Sequence, residues 1–100
     1  KTSVFVLNGT GINGLARGLA NTLEQKGYTI AGTATAADQT RSATLVLFAP
    51  GKRAQAVRVA RSINKGTDVV QPVDSGSAAL GQGADVVVLV GADQNITNPG

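Results

Sequence analysis

The sequence of 100 residues contains no cysteine and no histidine. Without cysteine there is no disulfide, no iron–sulfur cluster and no thiolate zinc site. Without histidine the chain lacks the commonest general base and the commonest transition-metal ligand, so neither a Ser-His-Asp nor a Cys-His catalytic group can form. Its six carboxylates are scattered, and their spacing defines no acid–base pair. We therefore expect no enzyme: no catalytic residue, no metal and no cofactor.

Aromatic residues and long apolar runs are also scarce. Only Phe5, Tyr28 and Phe48 are aromatic, which removes the stacking platforms on which proteins bind single-stranded nucleic acid. The net charge of +3 favours anionic partners but is too small to identify one. No run reaches the roughly 18 apolar residues of a membrane helix, and the longest is only strand-sized. The composition indicates a single globular domain with no nucleic-acid partner.

The hydrophobic periodicity predicts seven elements in the order β-α-β-β-α-β-β. The predicted strands cover residues 3–7, 28–34, 44–48, 69–73 and 85–90, and the predicted helices cover residues 14–26 and 52–64. Asn13 is placed to cap the first helix and Gly27 to end it. The last strand is apolar on both faces, so it should be central, whereas Pro72 suits an edge. The predicted fold is an α/β domain of the α+β type, with one mixed sheet and two helices packed on one face.

A glycine-rich turn follows the first predicted strand. Gly9, Gly11 and Gly14 fit G-x-G-x-x-G, a pattern in which backbone amides and a helix N-terminus hold a pyrophosphate. The ribose would then need a carboxylate, and the nearest candidate, Asp38, lies beyond the second strand. The chain is also too short for a full doubly wound sheet. We favour a purely conformational role for these glycines and keep a nucleotide- or dinucleotide-phosphate site as the alternative.

The same turn carries a family resemblance. Residues 6–16, Val-Leu-Asn-Gly-Thr-Gly-Ile-Asn-Gly-Leu-Ala, resemble the opening signature of the LytR C-terminal domain family (LytR_C). Gly27-Tyr28 resembles the family's aromatic entry to its second strand, and Pro50-Gly51-Lys52 its second helix start. Residues 85–93 are similar to its terminal strand, which ends in Gly-x-Asp. The resemblance spans about nine-tenths of the chain, so residues 1–93 are expected to form the domain and residues 94–100 a polar tail.

This resemblance implies a cell-envelope module of Gram-positive bacteria, actinobacteria in particular. Members follow LytR-CpsA-Psr catalytic domains, which transfer glycopolymers to peptidoglycan, or stand alone after one transmembrane helix and a linker. The expected protein is thus longer, extracytoplasmic and anchored to the cytoplasmic membrane outside these residues. The expected function is non-catalytic: binding peptidoglycan, an anionic wall glycopolymer or a LytR-CpsA-Psr-type transferase, in support of wall assembly or integrity.

Two sets of residues are candidates for binding a ligand. The first is the glycine turn, where backbone amides and two polar side chains could hold an anion or a sugar: Asn8, Gly9, Thr10, Gly11 and Gly14. The second is a basic stripe on the second predicted helix, formed by Arg58, Arg61 and Lys65, which otherwise is a solvated helix face. A third possibility is a protein-interaction scaffold, for which residues 69–73 are the obvious sheet edge.

Overall fold

The structure, a computed structural model, describes residues 2–10, 14–35, 42–63, 65–73 and 83–92. The strands and helices of these residues are β1 (Ser3–Asn8), α1 (Leu15–Gln25), β2 (Thr29–Thr35), β3 (Leu45–Phe48), α2 (Arg53–Ser62), β4 (Val70–Pro72) and β5 (Val86–Val90). Their order along the chain is the predicted one. A short 3-10 turn at Thr67–Val69 replaces the first residue of the fourth predicted strand. No helix in the described segments is long and apolar enough to cross a membrane.

The strands form one mixed sheet in the order β2-β1-β5-β3-β4. β1 runs parallel to β2 and to β5, whereas β3 runs antiparallel to β5 and parallel to β4. Each helix therefore connects two parallel neighbours in a β-α-β unit. The predicted central position of the last strand is confirmed, as is the edge position of β4; β2 forms the other edge.

Both helices pack on the same face of the sheet, as predicted, because each carries a stripe of small and branched apolar residues. Ala16, Ala20 and Leu23 of α1 join the core cluster that contains Val4 and Val6 of β1. α2 and the residue after it contribute Ala56, Val59, Ala60 and Ile63 to the same cluster. Val57, one residue after the buried Ala56, is only half-buried. On the opposite sheet face a second buried cluster contains Phe5, Leu7, Leu47, Ala84 and Val87.

The C-terminal end of α1 is fixed by the predicted glycine. Gly27 has a φ of 101°, and its amide donates to the carbonyl of Glu24 at 3.1 Å. The amide of Tyr28 donates to the carbonyl of Leu23 at 3.2 Å, which completes a Schellman motif. The Tyr28 hydroxyl lies 3.0 Å from Oγ of Ser62 in α2. One glycine thus ends the helix and directs an aromatic ring toward the second helix.

Two predicted helix ends are corrected by the structure. α1 begins at Leu15 with Gly14 at the N-cap position, whereas the predicted cap, Asn13, lies outside the described residues. α2 ends at Ser62, two residues before the predicted end. The reason is that the amide of Lys65 donates to the carbonyl of Ala60 at 2.8 Å, a six-to-one bond that closes the last turn. Lys65 is therefore beyond the helix.

The end of β5 approaches the start of β3 too closely for any side chain. A Cβ atom built on Gly91 would lie 2.4 Å from the carbonyl carbon of Ala43, and it would meet backbone that cannot move aside. Gly91 is buried, and its amide donates to Oγ1 of the fully buried Thr44 at 2.9 Å. The position requires glycine for space.

We expect Gly91→Ala to lower the free energy of unfolding by about 3 kcal/mol, because the added methyl group overpacks a backbone contact. Gly18→Ala is the matched control: a Cβ there meets nothing within 4 Å, and alanine in a helix interior should raise stability by about 0.5–1 kcal/mol. Urea unfolding of both variants gives the comparison. A Gly91→Ala variant as stable as the wild type would show that this contact is not close.

Candidate functional site

The glycine turn lies at the edge of the sheet where several strand ends meet. Since β1 and β5 are parallel, Asn8 at the end of β1 pairs with Val90 at the end of β5. β3 is antiparallel to β5, so its first residue, Leu45, lies beside Leu89. The residues that follow β1 and β5 therefore share one corner with those that precede β3. This corner contains the first set of candidate residues.

The side chain of Asn8 is engaged within the corner itself. Its Oδ1 accepts hydrogen bonds from the amide of Thr10 at 2.9 Å and from the Thr10 hydroxyl at 2.7 Å. Thr10 is only 4% exposed. The amide of Gly9 donates to the carbonyl of Val90 at 2.9 Å. The donors that the sequence offers to a ligand at residues 9 and 10 thus fold the turn and attach it to β5.

The dinucleotide alternative finds little support in this geometry. Gly11 lies outside the described residues, as does Asp38, while Gly14 is exposed with a φ of 81°. Doubly wound dinucleotide folds carry helices on both sheet faces and bind at the crevice this creates. Here α1 and α2 contribute to one core cluster on one face. Ligand binding at the glycine turn, by Asn8, Gly9, Thr10, Gly11 and Gly14, stays a prediction.

The second candidate set lies on α2, on the other half of the domain. Arg58 and Arg61 are exposed and one helical turn apart, opposite the buried Val59 and Ile63. Lys65 is half-buried and lies beyond the helix end, so it does not continue the stripe with helical geometry. The structure brings two of the three predicted cations together on one helix face.

The segment that contains α2 is basic throughout. Residues 52–66 include Lys52 and Arg53 but no acidic residue, a signal that the sequence already contained. Lys52 lies 3.9 Å from Asp85, with Nζ and Oδ1 as the nearest atoms. Arg58 and Arg61 make no ion pair with any residue that the structure describes. We call the exposed face formed by Arg58 and Arg61 the α2 basic face.

The two sheet edges differ as interaction surfaces. β4, the edge predicted from the sequence, is three residues long and ends in Pro72, which cannot donate to an added strand. β2 is a seven-residue edge beside a groove of about 250 Å³ between this strand and α1. The groove is lined by Arg17, Ala20, Asn21, Glu24, Ile30, Gly32 and Thr33. Sequence reasoning missed this edge because only the pairing shows which strands lie outermost.

A family model described as LytR cell envelope-related transcriptional attenuator (LytR_C) matches residues 1–93. The chain belongs to this family. The structure of this chain is also similar to a solved structure entitled "Solution Structure of the C-terminal domain of RV0431". The TM-score is 0.51 at 25% sequence identity, over 91% of this chain and 72% of that one. A search of curated proteins gave no match.

As a member of LytR_C, the chain is a cell-envelope-related domain, and the family is linked to LytR-CpsA-Psr envelope proteins. LytR_C is a C-terminal accessory domain family and is not known for catalysis. The resemblance drawn from the glycine turn is therefore confirmed at the level of the family.

If Asn8 folds the corner, its removal should cost stability. We expect Asn8→Ala to lower the free energy of unfolding by about 1–3 kcal/mol, because the buried Thr10 amide and hydroxyl lose their common acceptor. Asn8→Asp keeps an oxygen at the same position and should retain most of the stability. Thermal unfolding of the two variants tests this assignment. Equal stability of Asn8→Ala and the wild type would free Asn8 for a ligand role.

Proposed function

We propose that this chain is a non-catalytic accessory domain that binds an anionic polymer of the cell wall through the α2 basic face. The observation that carries the proposal is that Arg58 and Arg61 are exposed, adjacent and without an acidic partner among the described residues. The cell-envelope relation of the family supplies the class of polymer. The extracytoplasmic location and the membrane anchor outside these residues belong to the same proposal.

The arginines are not explained by the stability of the fold. α2 is held on the sheet by Ala56, Val59 and Ala60, each fully buried. Arg61 lies in the last turn of α2, where a cation favours the helix dipole, and its repulsion by Arg58 one turn earlier offsets part of that gain. No acidic residue occupies the first turn. The two charges thus contribute little to the stability of α2, which supports a role for them in binding.

Arginine suits both anionic groups of a bacterial wall. The guanidinium group is planar and donates two parallel hydrogen bonds to a carboxylate or a phosphate. Peptidoglycan presents carboxylates on its peptides, and many attached glycopolymers carry phosphodiesters. Binding by a few exposed charges is weak and falls with ionic strength. Weak contacts of this kind suit a domain that keeps a polymer near a LytR-CpsA-Psr-type transferase.

We expect Arg58→Glu and Arg61→Glu, made separately, to reduce binding to purified wall by about tenfold each at low salt, because an attractive charge becomes a repulsive one. Lys26→Glu is the matched control: it also removes two units of charge, but Lys26 lies at the end of α1. The measurement is the fraction of protein that pellets with wall as the wall concentration rises.

The wall itself is used before and after mild acid treatment, which releases phosphodiester-linked glycopolymer and leaves peptidoglycan. Loss of binding after treatment assigns the ligand to the glycopolymer, and retention assigns it to peptidoglycan. An equal effect of Lys26→Glu and Arg58→Glu would show that only net charge matters. That result, or wild-type protein that does not pellet, would rule out the α2 basic face as the binding site.

A further inference from the structure

The β2 edge is unusually open to another strand. It is seven residues long, lacks charged residues and proline, and its residues from Thr33 to Thr35 are exposed. Proteins generally protect such edges with charges, prolines, β-bulges or cover, because unpaired amides and carbonyls attract further strands. Of these protections, charges and prolines are absent from β2. One irregularity is present: the register with β1 shifts so that Ala31 has no partner. From Gly32 to Thr35 the strand is regular.

The flank of α1 that borders this edge carries a polar stripe. At 100° per residue, Arg17, Asn21 and Glu24 fall within about 60° of one another, to one side of the buried Ala16, Ala20 and Leu23. All three polar residues are exposed and line the groove beside β2. Arg17 and Glu24 are two helical turns apart, roughly 10 Å along the axis, so they do not neutralise each other directly.

The signs of these charges are unfavourable for α1 itself. Arg17 lies in the first turn, where the helix dipole favours an anion, and Glu24 lies in the last turn, where it favours a cation. Neither residue makes an ion pair with a described residue. Beside an antiparallel copy of α1, both charges would lie close to a helix end that favours them. Each Arg17 would face the C-terminal end of the other helix, and each Glu24 its N-terminal end.

We propose that two copies of this chain associate about a two-fold axis through antiparallel pairing of their β2 edges, with their α1 helices side by side. The axis would lie half a strand spacing beyond β2, about 2.4 Å. α1 packs on both β1 and β2, so it sits about 2.4 Å inside β2. The two helix axes are then about 10 Å apart, the usual distance of packed helices.

In this arrangement the stripe is complementary to itself. A two-fold interface uses the same surface on both subunits, so a residue that meets another is met by it in return. Arg17 of each copy faces Glu24 of the other, and the two Asn21 side chains meet near the axis. The groove beside β2 becomes the space between the helices. Because β2 is regular only from Gly32 to Thr35, the strand pair is short, and with one helix pair it forms a small interface. We therefore expect a dissociation constant in the micromolar range.

Charge reversal tests the pairing without disturbing the core. Sedimentation equilibrium of the wild-type chain should show a dimer, and Arg17→Glu or Glu24→Arg alone should weaken it about tenfold, because each places like charges opposite each other twice. The double variant R17E/E24R restores opposite charges at both contacts and should recover the dimer. Recovery in the double variant distinguishes a second copy from a foreign peptide, which could not compensate in this way.

Because the chain has no cysteine, a single introduced thiol reports the helix contact directly. Asn21→Cys should form a disulfide-linked dimer on oxidation, whereas Thr22→Cys, exposed on the same helix but turned 100° from Asn21 about the helix axis, should not. A wild-type chain that stays monomeric up to about 1 mM overturns the proposal, since association would then contribute less than about 4 kcal/mol. So does a dimer that the single charge variants leave unchanged, or one in which Asn21→Cys fails to cross-link. None of these results decides whether α2 binds the wall, which the Arg58 and Arg61 variants test separately.

Discussion

The insertion of the last strand between β1 and β3 is the constraint on which the domain depends. The two β-α-β units run in opposite directions, and the sheet joins them through β5. Both ends of β5 are fastened. At its start, Asp85 and Ser3 exchange two hydrogen bonds, while Asp85 also faces Lys52. At its end, the carbonyl of Val90 accepts from Gly9 and the amide of Gly91 donates to Thr44.

The hydrogen bonds at Gly9 and Thr10 distinguish this corner from a nucleotide motif. Gly14, with a φ of 81°, supplies at the start of α1 a conformation that other residues rarely adopt. In a dinucleotide fold the amides of the turn point toward a pyrophosphate. Here the amides of Gly9 and Thr10 are directed into the protein, to Val90 and Asn8, because the neighbouring strand end also has to be held.

The sequence predicts this fold well where one residue decides a local structure. Gly27 ends α1, and the valine run of β5 indicates a strand buried on both faces. Features that depend on residues distant in sequence were not predictable: Ser3 and Asp85 are 82 positions apart, and Gly91 needs glycine only because Ala43 lies against it. Two features of the candidate sites were also not predictable from local sequence. α2 ends at Ser62, which leaves Lys65 outside the basic stripe, and only the strand order shows that β2 is an edge.

The exposed charges of α1 and α2 are not part of the packing that folds the domain. The core clusters are aliphatic apart from Phe5, so α1 and α2 need none of their exposed charges to pack. Yet α1 carries two charges that oppose its own dipole, on Arg17 and Glu24, and α2 carries two like charges one turn apart, on Arg58 and Arg61. Because the packing of the core requires none of these charges, we interpret both sets as surfaces that other molecules complete. The two surfaces lie toward opposite edges of the sheet, so a dimer joined through β2 would present two α2 basic faces, and a polymer that contacts both gains affinity from the linkage alone.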